Sequence, residues 1–256
     1  MKHSIKMIVT DLDGTLLRTD KTLSMRTKAI LRQSREKGIK IVYATGRGGS
    51  AERVAPSELF DGKITMNGAV AKVADTVLYE RLIPYQTARP FLMACDKRGI
   101  KITSEINGMH YSNFAVSDFW PLLTTYEEVD FEQHKIDAEK IYSPNPDTEE
   151  ELFIKQHLPD DLYSVVTSDA TGSLLQVMHK DAAKSKAVAA LAKHWNIASC
   201  EIVAFGDDRN DIDMLSGAGI GVAMAGAIKE VKAVSNYICG SNDEDGLAKW
   251  IEENIA

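Results

Sequence analysis

The run Ile8-Val9-Thr10-Asp11-Leu12-Asp13-Gly14-Thr15 constrains this chain more than any other stretch. It opens as an apolar, β-branched segment of the kind that forms a buried strand. It then gives out into two acids one residue apart. Alternate side chains of an extended segment share a face, so Asp11 and Asp13 are expected on one side. Carboxylates gathered at a strand end are costly unless a cation or a reaction uses them. An Asp-Gly turn is the plainer reading of the same residues, and the rest of the chain has to discriminate between the two.

Beyond Thr15 the chain alternates helix and strand. A polar loop runs through Leu23. Ser24 is placed to cap a helix reaching Lys37, with Gly38 as its stop. A strand over 39–44 ends at Thr45-Gly46-Arg47-Gly48-Gly49-Ser50. A short helix breaks near Pro56 and a third strand covers 63–66. Asn67-Gly68 marks a turn, and further strand runs over 70–83 with a hairpin around Asp75-Thr76. The order β-α-β-α-β favours a parallel sheet with right-handed crossovers.

From Pro84 to about Ala183 the pattern changes. A helix over 87–98 precedes a strand over 100–106, an Asn107-Gly108 hairpin turn and a returning strand. An aromatic and polar stretch over 114–131 comes next, then a strand near 140–142 and a break at Pro144-Asn145-Pro146. A helix over 148–157 and strands over 163–167 and 174–178 complete this part. Strand–helix alternation then resumes with helices over 184–195, 211–215, 229–234 and 244–253 and strands over 202–205, 220–223 and 237–239. The expected architecture is α/β: a doubly wound, Rossmann-like parallel-sheet core built from residues 1–83 and 184–256, with an α+β domain over 84–183 inserted into it.

The chain has 256 residues and a net charge of −7, which argues against nucleic acid or an anionic membrane surface as the main partner. The segment from Met1 to Met7 lacks the long apolar core of a leader, and no run approaches the ~18 apolar residues of a membrane span. Cys95, Cys200 and Cys239 are odd in number and show no metal-type spacing, so all three are expected as buried, reduced thiols. A cytoplasmic protein fits these features. Oligomeric state is not readable from the sequence.

Three further clusters carry chemistry. Thr45-Gly46 sits at the carboxyl end of a strand, the edge where open α/β sheets bind ligands, and a hydroxyl and an N–H there can donate to phosphate oxygens. The same segment fits Gly-x-Gly-x-x-Ala loosely, but a dinucleotide fingerprint belongs in the first βα turn and leaves the acid pair unexplained. Gly206-Asp207-Asp208-Arg209-Asn210-Asp211 again places acids after an apolar strand; capping explains one of them but not three acids and an amide. Neither acidic cluster has the spacing of an EF-hand loop. Lys184 opens a helix, where the dipole disfavours a cation. As a lone residue it reads as a solvated surface lysine. Taken together, the acids can hold a hard divalent cation through oxygens, and Thr45, Gly46, Lys184 and Asn210 can cradle a phosphoryl group. Asp11 can attack phosphorus while Asp13 moves protons.

Asp11-Leu12-Asp13-Gly14-Thr15, Thr45-Gly46, Lys184 and Gly206-Asp207-Asp208-Arg209-Asn210-Asp211 resemble, in that order, the four motifs of the haloacid dehalogenase superfamily. The pattern is similar to its Cof-type sugar-phosphatase-like branch. The resemblance implies a phosphatase of small phosphorylated metabolites that works through an aspartyl-phosphate. Asp11 is then the nucleophile and Asp13 the general acid and base. Mg²⁺ is held by Asp11, the Asp13 carbonyl and Asp207, with Asp211 behind them. Phosphate meets the Leu12 N–H, Thr45, Gly46, Lys184 and Asn210. The inserted domain acts as a cap that closes over the site and selects the leaving group, with 105–111, Phe114, Phe119 and Trp120 as candidates. Two stretches depart from the family pattern: 176–185 around Lys184, and Met224-Ala225-Gly226-Ala227, where Met-Gly-Asn-Ala is usual, so a polar contact near the site is expected to be missing. A phosphosugar mutase and a non-catalytic phosphometabolite-binding protein are the alternatives on the same scaffold.

Overall fold

A computed structural model describes residues 4–169 and 172–255; Met1–His3, the start of the segment read for a leader, lie outside the described residues. The chain divides into two compact units, one formed by residues 1–80 and 182–256, the other by residues 81–181. The sequence put these boundaries a few residues later, at 83/84 and 183/184.

The first unit starts with β1 (Met7–Thr10), every residue of which is buried. Ser24 caps α1 (Met25–Glu36) by accepting the Thr27 N–H, satisfying one of the orphan donors of a helix start. Gly38, with φ +84°, ends it. Next come β2 (Lys40–Ala44), α2 (Ala51–Val54), β3 (Gly62–Thr65), β4 (Val70–Val73) and β5 (Thr76–Glu80).

The second unit contains α3 (Tyr85–Lys97), β6 (Thr103–Ile106), β7 (Met109–Ser112), β8 (Tyr126–Glu128), β9 (Lys140–Pro144), α4 (Thr148–Gln156), β10 (Leu162–Asp169) and β11 (Gly172–His179). Its sheet runs β10-β11-β9-β6-β7-β8, antiparallel except where β8 joins β7 in parallel. Ala88, Phe91, Leu92 and Cys95 of α3 and Ile154 of α4 pack with Ile141, Leu175 and Val177 of the sheet. The aromatic and polar stretch over 114–131 also holds β8, a strand that no local pattern marked. Helix α3 begins earlier than expected because Pro84, φ −60° and ψ 141°, stands at its N-cap. Buried Glu105 pairs with Lys140 at 3.2 Å, and the Tyr142 hydroxyl meets His110 Nδ1 at 3.0 Å. Phe114 and Phe119 make an edge contact, as do Trp120 and Tyr142.

The chain returns to the first unit with α5 (Lys184–His194), β12 (Ile202–Gly206), α6 (Ile212–Gly217), β13 (Ile220–Ala223), α7 (Lys229–Val234), β14 (Tyr237–Ile238) and α8 (Gly246–Asn254). The sheet order is β14-β13-β12-β1-β2-β3-β4-β5. β1 is central and pairs in parallel with both β2 and β12; only the β3-β4-β5 edge is antiparallel. Strand alternation splits the core between two faces. Ile8 and Ile41 pack with Ile30 and Leu31 of α1 and Trp250 and Ile251 of α8. Met7, Val9 and Val42 pack with Leu191 of α5, Met214 and Leu215 of α6 and Val231 of α7. Helices on both faces of a mainly parallel sheet make this the doubly wound α/β fold expected, and the carboxyl edge of its central strands is where such folds bind ligands. Cys95 and Cys239 are buried, but Cys200 is exposed. Cys200 lies in the short 3-10 turn Ser199–Glu201, none of whose residues is buried, which corrects the expectation of three buried thiols.

Candidate active site

Beyond β1 the chain bends sharply, and its backbone is tied to β12 by the Asp11 N–H, which donates to the Phe205 carbonyl at 3.0 Å. Leu17 N–H donates to the Leu12 carbonyl at 2.8 Å, and the Leu12 N–H makes no hydrogen bond among the described residues. Gly14 has φ +80°, and a Cβ there would lie 2.3 Å from Asp207 Oδ2. Glycine is therefore the residue that lets the loop after β12 approach. Thr15 Oγ1 closes the join, donating to Asp207 Oδ1 at 2.5 Å.

Lys184 lies where the two acidic clusters meet. It is 1% exposed, which corrects the reading of a solvated surface lysine. Its Nζ donates to Asp11 Oδ1 and to Asp211 Oδ1, each at 2.6 Å. Two buried carboxylates thus offset both the dipole at the start of α5 and the loss of water. Asp211 is fully buried, and its Oδ2 accepts the N–H groups of Asp207 at 3.0 Å and Asp208 at 3.1 Å. It shapes the turn that presents Asp207. Gly206 makes room, because a Cβ there would stand 2.5 Å from Asp211 Cβ.

Burial sets the electrostatics. It drives the Asp11 carboxyl well above the usual range, against the pull of Lys184, with Asp211 and Asp207 adding to the rise. Burial raises Asp207 to about 6 although Thr15 hydrogen-bonds to it. Lys184 is pushed down by burial but held up on balance by Asp11 and Asp211. Acids in this condition are short of positive charge. Asp11, Asp207 and Asp211 each offer an oxygen, all within 4.8 Å of one another. An all-oxygen donor set suits a hard divalent cation. Oδ2 of Asp11 and of Asp207 carries no hydrogen bond among the described residues, whereas both oxygens of Asp211 are engaged. The residues present therefore fit a cation held by Asp11 and Asp207 and supported by Asp211.

The other expected contacts are gathered by a residue that the sequence offered only as a turn. Asn67 has φ +54° and is buried. Its N–H donates to the Thr45 carbonyl at 2.9 Å, and its Oδ1 accepts from Asn210 Nδ2 at 2.8 Å. A Cβ on Gly46 would fall 2.9 Å from that same Oδ1. Asn67 thus joins Thr45, Gly46 and Asn210. Gly68 comes next with φ +98°, its Cα so close to α5 that a Cβ would lie 2.3 Å from the Ala183 carbonyl carbon; the turn packs against the residue before Lys184. The Asn-Gly dipeptide was the one available signal, and it has an ordinary turn explanation.

Asp13 turns to two cations that sequence reasoning also missed. Arg47 Nε donates to Oδ2 at 2.5 Å and Nη2 to Oδ1 at 2.7 Å, a bidentate fork. Lys21 Nζ reaches Oδ1 at 2.8 Å. Burial acts to raise the Asp13 carboxyl, but the hydrogen bonds from Arg47 and Lys21 outweigh it and bring it down to about 2. Further on, Ile228 N–H donates to the Asp207 carbonyl at 3.0 Å, while a Cβ on Gly226 would meet nothing within 4 Å.

Comparison with known proteins finds relatives over nearly the whole chain. The model of the haloacid dehalogenase-like hydrolases matches residues 8–251. The chain is 27% identical to the Escherichia coli 5-amino-6-(5-phospho-D-ribitylamino)uracil phosphatase YbjI, covering 98% of this chain and 96% of that protein. It is 28% identical to the Bacillus subtilis phosphatase YwpJ, over 97% and 99%. Among solved structures, the phosphatase BT1666 from Bacteroides thetaiotaomicron superposes with a TM-score of 0.84 at 28% identity, covering 98% of this chain and 95% of that one. The subclass IIB sugar phosphatase BT4131 does so with 0.79 at 28%, over 97% and 98%.

Proposed function

We propose a mechanism for this chain, which belongs to the haloacid dehalogenase-like hydrolase family and is a phosphate-monoester hydrolase: Mg²⁺-dependent hydrolysis of a small phosphorylated metabolite, such as a sugar phosphate, through an aspartyl-phosphate on Asp11. The observation that carries the reading is Asp11 itself, buried, with one oxygen pinned by Lys184 and the other left for chemistry. Mg²⁺, held by Asp11, Asp207 and the Asp13 carbonyl with Asp211 behind them, supplies charge that offsets the repulsion between an anionic nucleophile and an anionic ester. No helix among the described residues is long and apolar enough to cross a membrane.

In this reading the Leu12 N–H, Thr45 Oγ1, Gly46 N–H, Lys184 and Asn210 Nδ2 bind the phosphoryl oxygens. Asp11 Oδ2 attacks phosphorus, the ester P–O bond breaks, and the leaving oxygen takes a proton from Asp13. Water then attacks the aspartyl-phosphate, gives its proton to Asp13 and frees Asp11. Asp13 is a carboxylate at rest, held by Arg47 and Lys21. To donate a proton it has to be released from them and take up a proton from solvent as the ester binds, and that proton then goes to the leaving oxygen. The second unit serves as the cap that selects the leaving group.

Release of inorganic phosphate from a panel of phosphorylated metabolites, with Mg²⁺ and with EDTA, tests the proposal. Asp11→Asn should lower the rate by at least ~10³-fold, as loss of a nucleophile does. Equal rates for wild type and Asp11→Asn, or undiminished turnover in EDTA, would sink it. Return of the phosphoryl group to the sugar in place of free phosphate would establish the mutase.

A further inference from the structure

Lys21 touches none of the reacting atoms in the proposed chemistry, yet the fold goes to some length to place it. Its φ is +64°, a conformation that an L side chain other than asparagine or aspartate rarely takes. The turn around it is closed by Arg18 N–H to the Thr22 carbonyl at 3.0 Å and Lys21 N–H to the Arg18 carbonyl at 2.9 Å. Asp20 Oδ1 braces it by accepting the Thr22 N–H at 2.9 Å and the Thr22 hydroxyl at 2.6 Å. The turn is also anchored from outside. Thr19 donates its N–H and its hydroxyl to the two oxygens of Asp243, at 2.8 and 2.7 Å, and Arg18 Nη2 donates to Asp245 at 3.0 Å. A solvated lysine needs no such mounting.

Asp13 takes two cations rather than one. Arg47 already neutralises Asp13 with a bidentate fork, and Lys21 adds a second cation to the same carboxylate. The Lys21 side chain remains 51% exposed, so its ammonium can meet a ligand as well as Asp13. The phosphoryl group has its own partners in Lys184, Thr45 and Asn210. A second, solvent-facing cation therefore stands beside Asp13, the residue that meets the leaving oxygen.

We propose that Lys21 is a specificity-determining residue that binds a second anionic group on the leaving-group side of the substrate, so that the preferred esters carry a carboxylate or a further phosphate close to the scissile phosphate. This rests on the phosphatase reading of the site. A group bonded to Asp13 lies about two hydrogen-bond lengths from Lys21 Nζ, ~5–6 Å, which a carboxylate a few bonds from the ester oxygen can span. In the loaded enzyme Lys21 transfers from Asp13 to that anion, which also frees Asp13 for the leaving oxygen.

A matched pair of substrates tests it: 3-phosphoglycerate and glycerol 3-phosphate, which differ by a carboxylate in place of a hydroxymethyl group. With Mg²⁺ and wild-type enzyme, kcat/KM should favour 3-phosphoglycerate by about tenfold, the worth of one charge-assisted hydrogen bond, and raised salt should shrink that ratio. Lys21→Met should bring the ratio to about one, chiefly through KM for the acid; Lys21→Arg should keep most of it. Lys37→Met, at the exposed C-cap of α1, should leave the ratio at its wild-type value. A wild-type ratio of one or less overturns the proposal. So does an equal fall in kcat for both substrates in Lys21→Met, which would make Lys21 a positioning residue for Asp13 alone. Absence of phosphate release from either ester and from the wider panel would instead remove the phosphatase reading beneath it.

Discussion

Lys184→Met is the most informative single perturbation. The substitution keeps an apolar stem and deletes the ammonium that Asp11 and Asp211 share, each at 2.6 Å. Removing one partner of a buried ion pair costs about 3–5 kcal/mol, because the remaining charge is stranded away from water. Here one cation serves two carboxylates, which points to the upper part of that range. Part of the cost is relieved by proton uptake. Asp11 already titrates above the ordinary value of 3.8, and Lys184 is the strongest influence holding it down, so its loss sends Asp11 higher. For an acid with a raised native pKa, the linked stability is fully present below the unfolded value and disappears as pH rises through the native one. The mutant's deficit should therefore be small near pH 5 and full by pH 8. At ~2–4 °C per kcal/mol for a chain of this size, the melting temperature in EDTA should fall by roughly 10 °C at pH 8. Thermal unfolding followed by circular dichroism at both pH values provides the measurement. A fall under about 2 °C at pH 8, or a larger deficit at pH 5 than at pH 8, would refute the view that Lys184 neutralises the buried acids.

Asp207→Asn should act in the opposite sense on the metal-free protein. Its carboxyl, raised to about 6 by burial, loses its linked stability as pH rises through that value, so removing the charge should add about 1–2 kcal/mol at pH 8 while abolishing the rise in melting temperature on adding Mg²⁺. Gly68→Ala should cost about 2–4 kcal/mol, since the residue has φ +98° and its Cβ would strike the Ala183 carbonyl; urea unfolding measures this, and a loss below ~1 kcal/mol would contradict the packing described. In the second unit, burial lowers the pKa of His110 and of His134 below 6.5. A base depressed in the native state is stabilising above its unfolded pKa, and that stability is lost as pH falls below 6.5, with a slope of up to ~1.4 kcal/mol per pH unit for each histidine. His110→Asn should reduce the slope of the urea midpoint between pH 7 and 5.5; an unaltered slope would show that His110 does not contribute.

Strands β12 and β13 and helix α7 were legible because apolar runs and 3.6-residue periodicity bounded by turn residues carry local signals strong enough to survive tertiary context. β8 was not. It is three residues, Tyr-Glu-Glu, at a sheet edge, and its pairing with β7 comes from chain far upstream of any local pattern. In the site, acids at strand ends stood out because unpaired buried carboxylates are costly. Lys21, Arg47 and Asn67 did not stand out. A lysine or arginine in a polar loop and an Asn-Gly pair each have an ordinary explanation, and only the folded arrangement shows Lys21 and Arg47 converging on Asp13 and Asn67 bridging two loops. Lys184 was noticed for its awkward place at a helix start, and its burial between two acids supplies the reason.

The pairing of β1 with β12 has a consequence for how the molecule is made. The first strand leaves the ribosome long before its neighbour, since Thr15 and its partner Asp207 are 192 positions apart. Until β12 emerges, β1 has an unpaired edge and an all-apolar face in search of cover, and Asp11 lacks the Phe205 carbonyl that fixes its backbone. Contacts at such sequence separation form late and slowly. The intervening unit, whose sheet and core are drawn wholly from residues 81–181, can assemble while the first waits. Refolding should then show the second unit acquiring structure first, with phosphatase activity returning only as β12 docks.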